Sequence, residues 1–195
     1  MYRLLLIAVD VIPAALVLVP VFILLYPRVY SREIRKCAWG CLYCLYMAAV
    51  FSLVGIPNVT YFRPEVNLNL IPFAGMIRDL KNSILNVLLF VPLGFFLPLM
   101  WPRFRKILTP AAFAFSFSLA IELLQMLTFR ATDVNDLITN TAGAVLGFLA
   151  AKPLFKRYAA AVQGNISAVF LSLLSFAVMF FVHPFLSAAI WDALL

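Results

Sequence analysis

Long apolar runs, punctuated by short clusters of basic residues, set the pattern of this chain. A helix needs about 20 apolar residues to cross the hydrocarbon core of a bilayer. Runs of that kind lie at about Leu4–Tyr26, Cys37–Ile56, Ser83–Trp101, Ile107–Thr128, Val134–Ala151 and Ile166–Ser187. They predict an all-α fold: a polytopic transmembrane helical bundle of about six spans. The first run carries Asp10 and lacks a small-residue cleavage site, so it reads as a retained span and not as a signal peptide. Before the third span, Asn67-Leu68-Asn69-Leu70 alternates polar and apolar, and Pro72 forbids a continuous helix. Beyond it, Met76, Ile77, Leu80 and Ile84 recur at helical spacing with Arg78, Asp79 and Lys81 between them. That spacing predicts a short amphipathic interfacial helix leading into the third span. The chain then divides into residues 1–66 with two spans, a core at 67–151, and 152–195 with a linker and the last span.

Composition agrees with the pattern. Hydrophobic residues make up 65% and charged residues 12%, against roughly 45–50% apolar in soluble domains. The net charge of +7 does not point to nucleic acid, because the basic residues flank the apolar runs. Arg28, Arg32, Arg35 and Lys36, then Arg103, Arg105 and Lys106, then Lys152, Lys156 and Arg157 follow the first, third and fifth spans. An excess of Lys and Arg marks the cytoplasmic side. Both termini and the turn holding Arg130 are therefore expected outside, with Arg3, Arg63, Arg78 and Lys81. Cys37, Cys41 and Cys44 share one helix face and read as small packing residues. The single histidine, His183, is distant in the chain, so neither a metal site nor a disulfide is expected.

Against this background the polar residues of Leu119–Gly147 stand out. Glu122, Asp133 and Asp136 are three of the eight acidic residues, and Gln125, Arg130 and Asn140 accompany them. A charge in lipid costs about 2.5–3.5 kcal/mol on insertion scales. Ser118, Glu122 and Gln125 fall at i, i+4, i+7 and share a face of the fourth span. Glu122 lies six residues before Thr128, roughly 9 Å of helix rise from the expected helix end. It serves either as an interhelical hydrogen-bond clasp or as part of a site open to a ligand. Asp133 suits an N-cap with Asp136 in the first turn. Asn140 is too deep to cap and is expected to bond across to the third or fourth span. Gly143 and Gly147 form a small-xxx-small pattern for close helix contact. Asn82 and Asn86 add a polar column at the start of the third span. Arg130 can pair with the aspartates or meet a lipid phosphate, and the two acids alone could take a divalent cation, although no cofactor is expected. No Gly-x-Ser-x-Gly, His-Glu-x-x-His or phosphate-binding glycine loop is present.

Several stretches resemble the VanZ-like family: N-L-I-P-F at Asn69–Phe73, N-V-L-L-F-V-P-L-G-F at Asn86–Phe95, I-E-L-L-Q at Ile121–Gln125 and R-A-T-D-V-N-D-L-I-T-N-T-A-G-A-V-L-G at Arg130–Gly147. The resemblance covers residues 67–151. That family is named for a teicoplanin-resistance protein of Gram-positive bacteria. The resemblance implies a bacterial cell-membrane protein with a role in tolerance of lipoglycopeptide antibiotics. It carries over Asn86, Glu122, Gln125, Arg130, Asp133, Asp136 and Asn140 as site positions, with Asn69 and Ser118 secondary. Two functions of different class fit. One is an outward-facing polar site that binds a lipid or glycolipid headgroup, a cell-wall precursor or a lipid-tailed glycopeptide. The other is an intramembrane enzyme with Glu122 as acid–base. A transporter is a third, with little polar path through the inner leaflet to support it. No visible nucleophile has an adjacent base, which favours binding.

Overall fold

Helices dominate wherever the apolar runs are long, since a spanning segment must satisfy every backbone group within itself. The computed structural model describes residues 2–29, 34–62, 64, 68–73, 76, 79–128, 132–155 and 167–194. Among these residues five helical stretches are long and apolar enough to cross a membrane: Ile34–Val54, Leu80–Met100, Leu108–Gln125, Val134–Leu154 and Ala168–Ile190. A shorter apolar stretch, Val11–Leu24, lies within the first helix. The result is a helical membrane bundle. It falls into two units, Met1–Phe62 with Gly164–Leu195, and Arg63–Gln163.

The first unit holds α1 (Tyr2–Val29), α2 (Ile34–Val54), α6 (Ala168–Ala177) and α7 (His183–Leu194). A π-helical turn, Val178–Val182, joins α6 to α7. Polar side chains bind α2 to α6. The Tyr43 hydroxyl meets Ser172 Oγ at 2.9 Å, and Ser172 donates to the Ala168 carbonyl. Ser175 donates to the carbonyls of Leu171 and Cys44, and the Cys44 thiol to that of Leu171. All three cysteines are free thiols; Cys44 is buried, and Cys37 and Cys41 are half-buried. A π turn displaces carbonyls from their usual partners. Here the Phe180 carbonyl accepts from the Val59 N–H at 3.1 Å.

The second unit carries the polar residues. Its elements are β1 (Leu68–Asn69), α3 (Leu80–Met100), α4 (Leu108–Gln125), β2 (Thr132–Asp133) and α5 (Val134–Ala151). α3 and α5 run parallel, because Val87 faces Gly143 and Val91 faces Gly147. Their backbones touch. A methyl group on Gly94 would overlap the carbonyl of Ala144, and one on Gly147 the carbonyl of Val91. Gly143 and Gly147 thus have the contact role their spacing predicts, with Gly94 answering from α3. α4 runs back antiparallel to both and packs mainly against α5. At its start, Trp101, Phe104 and Phe113 stack edge to face, and the Arg103 guanidinium lies 4.9 Å from the Phe104 ring centre.

The structure differs from expectation at two places. The expected interfacial helix is absent among the described residues of 67–79, which form β1 and turns. Leu80 and Ile84 belong to α3 itself, while Ile77 and Arg78 lie outside the described residues. β1 pairs in parallel with β2, Leu68 opposite Thr132 and Asn69 opposite Asp133. This pairing lies ahead of the stretch with helical spacing, whose described residues before α3, Met76 and Asp79, form turns. The second difference is that α4 ends at Gln125 rather than Thr128. Thr128 closes the end by donating both its N–H and its hydroxyl to the Gln125 carbonyl. Glu122 is therefore three residues from the helix end, about 4.5 Å of rise rather than 9 Å.

Candidate functional site

Three helix ends meet on one side of the second unit: the starts of α3 and α5 and the end of α4. Asp133 begins α5 as its N-cap, and its Oδ1 accepts the Asn135 N–H at 2.8 Å. In a capping box the third helical residue would take the N–H of the cap. Here Glu122 of α4 does so, with Oε2 accepting the Asp133 N–H at 3.0 Å. Thr132 donates its hydroxyl to the Glu122 carbonyl at 3.1 Å. Glu122 is only 1% exposed. Its carboxyl group ties the end of α4 to the start of α5.

Asp136, released from the box, accepts from Asn86 Nδ2 on α3 at 2.7 Å. A charge-assisted bond of this kind is shorter and stronger than a neutral one. One turn deeper, Asn140 Nδ2 donates to Ser118 Oγ of α4 at 2.8 Å. Asn140 therefore bonds to the fourth span as expected. Its Oδ1 and the hydroxyl of Thr141 are buried without a hydrogen-bond partner among the described residues. Gln125 is buried on the same α4 face as Ser118 and Glu122. Asn82 does not follow Asn86 to α5; it donates to Asp79 Oδ2 at 2.6 Å.

The loop before α3 completes the arrangement. Asn69 donates from Nδ2 to Asp133 Oδ2 at 3.1 Å, and its Oδ1 accepts the Ile71 N–H at 3.4 Å. Four residues on, the Phe73 N–H donates to Asn135 Oδ1 at 2.6 Å. Phe73 is held at φ 64°, in the left-handed region that few bulky residues adopt. Asn135 is buried and essential to this geometry, yet nothing singled it out in the sequence. It lies between two conspicuous aspartates, and as an amide two residues past an N-cap it reads as helix surface.

Between these groups opens a recess of about 180 Å³. Asn69 and Met76 line it from the loop, Asp79, Asn82 and Ser83 from the start of α3, and Asp133, Asn135 and Asp136 from β2 and α5. Of the expected site residues, Asn69, Asp133 and Asp136 reach the recess. Asn86, Glu122, Ser118 and Asn140 brace its walls, each bonded to a residue of a neighbouring element. Arg130 lies outside the described residues. No group of three acid, cysteine or histidine side chains able to hold a metal forms among the described residues.

Comparison with known proteins fits this core. A family model described as VanZ/LLP1 matches residues 38–156. The chain belongs to the VanZ/LLP1 family. The family match begins in α2, ahead of the 67–151 stretch that carries the sequence resemblance, and it leaves α1, α6 and α7 outside. The VanZ/LLP1 chain is also 38% identical over 84 residues to the protein VanZ of Enterococcus faecium, an alignment covering 42% of this chain and 50% of that one. It spans about half the length of that relative. No solved structure matches it. With its several apolar spans, this VanZ/LLP1 member is a multi-pass membrane protein.

Proposed function

We propose that the recess binds the headgroup of a lipid or glycolipid at the outer face of the membrane, and that through such binding the protein contributes to tolerance of lipid-tailed glycopeptides. The observation that carries this reading is the recess itself, a polar hollow of about 180 Å³ at the starts of α3 and α5. Its position supports an outward orientation. Arg103, Arg105, Lys106 and Lys152 follow the ends of α3 and α5 opposite the recess, on the side that the positive-inside rule assigns to the cytoplasm.

The lining selects among headgroups. Asp79, Asp133 and Asp136 supply carboxylates, Asn69, Asn82 and Asn135 carboxamides, and no described lining residue is basic. Carboxylates accept hydrogen bonds and repel bare phosphate. A hydroxyl-rich or ammonium-bearing headgroup suits them. Ser83 is the one hydroxyl among the described lining residues, and it donates to the Asp79 backbone carbonyl at 3.2 Å. Its proton is directed away from a side-chain base, which favours binding over nucleophilic catalysis.

Native mass spectrometry of the purified protein tests the reading. Wild type is expected to retain a lipid or glycolipid that Asn82→Ala and Asp79→Ala lose by tenfold or more, since both face the recess without bonding α4 or α5 in the described contacts. Identical retention by wild type and both variants would remove the recess from the site.

A further inference from the structure

The loop that edges the recess has an odd combination of rigidity and exposure. Its two ends are pinned. Asn69 is held by strand pairing and by Asp133, and Phe73 by its N–H bond to the buried Asn135. Between and including these pins, Leu70, Ile71 and Phe73 are 66%, 68% and 66% exposed. The segment carries no charge, and Pro72 removes one backbone donor. Phe73 keeps a left-handed backbone that a free loop would relax. A loop at water level would turn such side chains inward or replace them with polar ones. This one is built to present them.

We propose that Leu70, Ile71 and Phe73 insert into the hydrocarbon edge of the leaflet on the recess side and fix the recess mouth at headgroup depth. The occupant of this apolar surface is bilayer lipid. Two observations select it over a second protein copy. The loop is tied to the first residues of α5, so it sits where a span leaves the membrane core. Its apolar side chains adjoin a polar hollow that shares Asn69 with it. An amphiphile arriving sideways through the leaflet therefore meets apolar rim and polar recess together, in the order of its own tail and head. The inference deepens the headgroup reading and rests on it for the identity of the bound molecule: the ligand is a membrane-resident lipid drawn from the leaflet, not a solute drawn from water.

Spin-label depth measurement tests the placement. Cys37, Cys41 and Cys44 are replaced by Ala, and Ile71→Cys carries a nitroxide in full-length protein in phosphatidylcholine vesicles. The label at position 71 is expected to collide with dissolved oxygen at least threefold more than with a water-soluble nickel chelate, and one at Asn82→Cys to show the reverse. Greater nickel than oxygen collision at 71 overturns the proposal. So does protection from both, which would mean a protein partner covers the loop. If the cysteine-free chain does not fold, Ile71→Trp in the unaltered chain gives a second reading. Its added emission should be quenched by phosphatidylcholine brominated on the acyl chain and not by aqueous iodide, and quenching by iodide overturns the proposal. These readouts stand apart from lipid retention. Loss of the headgroup reading with position 71 in hydrocarbon leaves the rim intact, while retained lipid with position 71 in water removes the rim alone.

Discussion

A single methyl group at Gly147 tests the contact that brings α3 and α5 together. Built there, it overlaps the Val91 carbonyl and lies 2.8 Å from the Phe95 nitrogen and 2.9 Å from the Val91 carbonyl carbon. All three are backbone atoms, so no side-chain rotation relieves the overlap, and α3 as a whole must retreat. Overpacking typically costs about 1–3 kcal/mol. An immovable obstacle belongs in the upper part of that range. Against it stands the better helix propensity of Ala over Gly, about 0.8–1.0 kcal/mol. The overlap wins, leaving Gly147→Ala destabilised by about 1–2 kcal/mol, a factor of roughly 5–30 in the folded fraction. The separation also lengthens the Asn86–Asp136 bond between the same two helices. Equilibrium unfolding in a detergent titration, followed by circular dichroism, measures the change. Ala142→Gly, at an exposed position of α5, serves as a control for propensity and should cost about 1 kcal/mol. A Gly147→Ala protein as stable as wild type, or more so, would refute the backbone contact.

Other substitutions separate the remaining interactions. Glu122→Gln is expected to keep the fold, because the amide oxygen can still accept the Asp133 N–H; Glu122→Ala strands that donor and should be less stable than Gln by about 1–3 kcal/mol in thermal unfolding. Asp133→Asn preserves the cap but cannot also accept from Asn69, so hydrogen exchange should quicken at Ile71 and Phe73 while the first turn of α5 stays protected. Faster exchange confined to that turn would contradict the assignment. At position 73, Gly should be about as stable as Phe and Val less stable than both by about 1–2 kcal/mol, since a β-branched residue tolerates φ 64° worst. An impermeant thiol reagent applied to cells should label a cysteine at Asn82 and not one at Arg103; labelling of 103 from outside would reverse the orientation.

The spans were legible because length and hydropathy alone decide them. So was the buried face of α4, where a spacing of 3.6 residues per turn predicts that Ser118, Glu122 and Gln125 point the same way, and all three are buried. That Asn140 bonds to a neighbouring span, and the contact role of Gly143 and Gly147, followed from depth and residue size, while the choice of Ser118 as the partner did not. What escaped the sequence is whatever depends on distant pairing. Asn67–Leu70 shows the alternation of a strand, but four residues do not reveal a partner at Thr132–Asp133, 64 residues away. The end of α4 was overrun because Met126 and Leu127 continue the apolar pattern after the hydrogen bonds of the helix have stopped. Gly94 passed unnoticed because its importance lies in Ala144, fifty residues away. Asn135 was hidden by its position between two charged neighbours.

The parallel pairing of β1 with β2 has a consequence for the order of assembly. Asn69 meets a partner 64 residues later in the chain. At a synthesis rate of about 5–20 residues per second, that partner emerges roughly 3–13 s after Asn69. Throughout the interval α3 and α4 can form, since their hydrogen bonds are internal, while Leu70, Ile71 and Phe73 have no anchor and Asn86 no acid from α5. The rim, the recess and the cap of α5 then come into being in a single late step. A nascent chain that stops short of residue 135 has its third and fourth spans and none of the pocket.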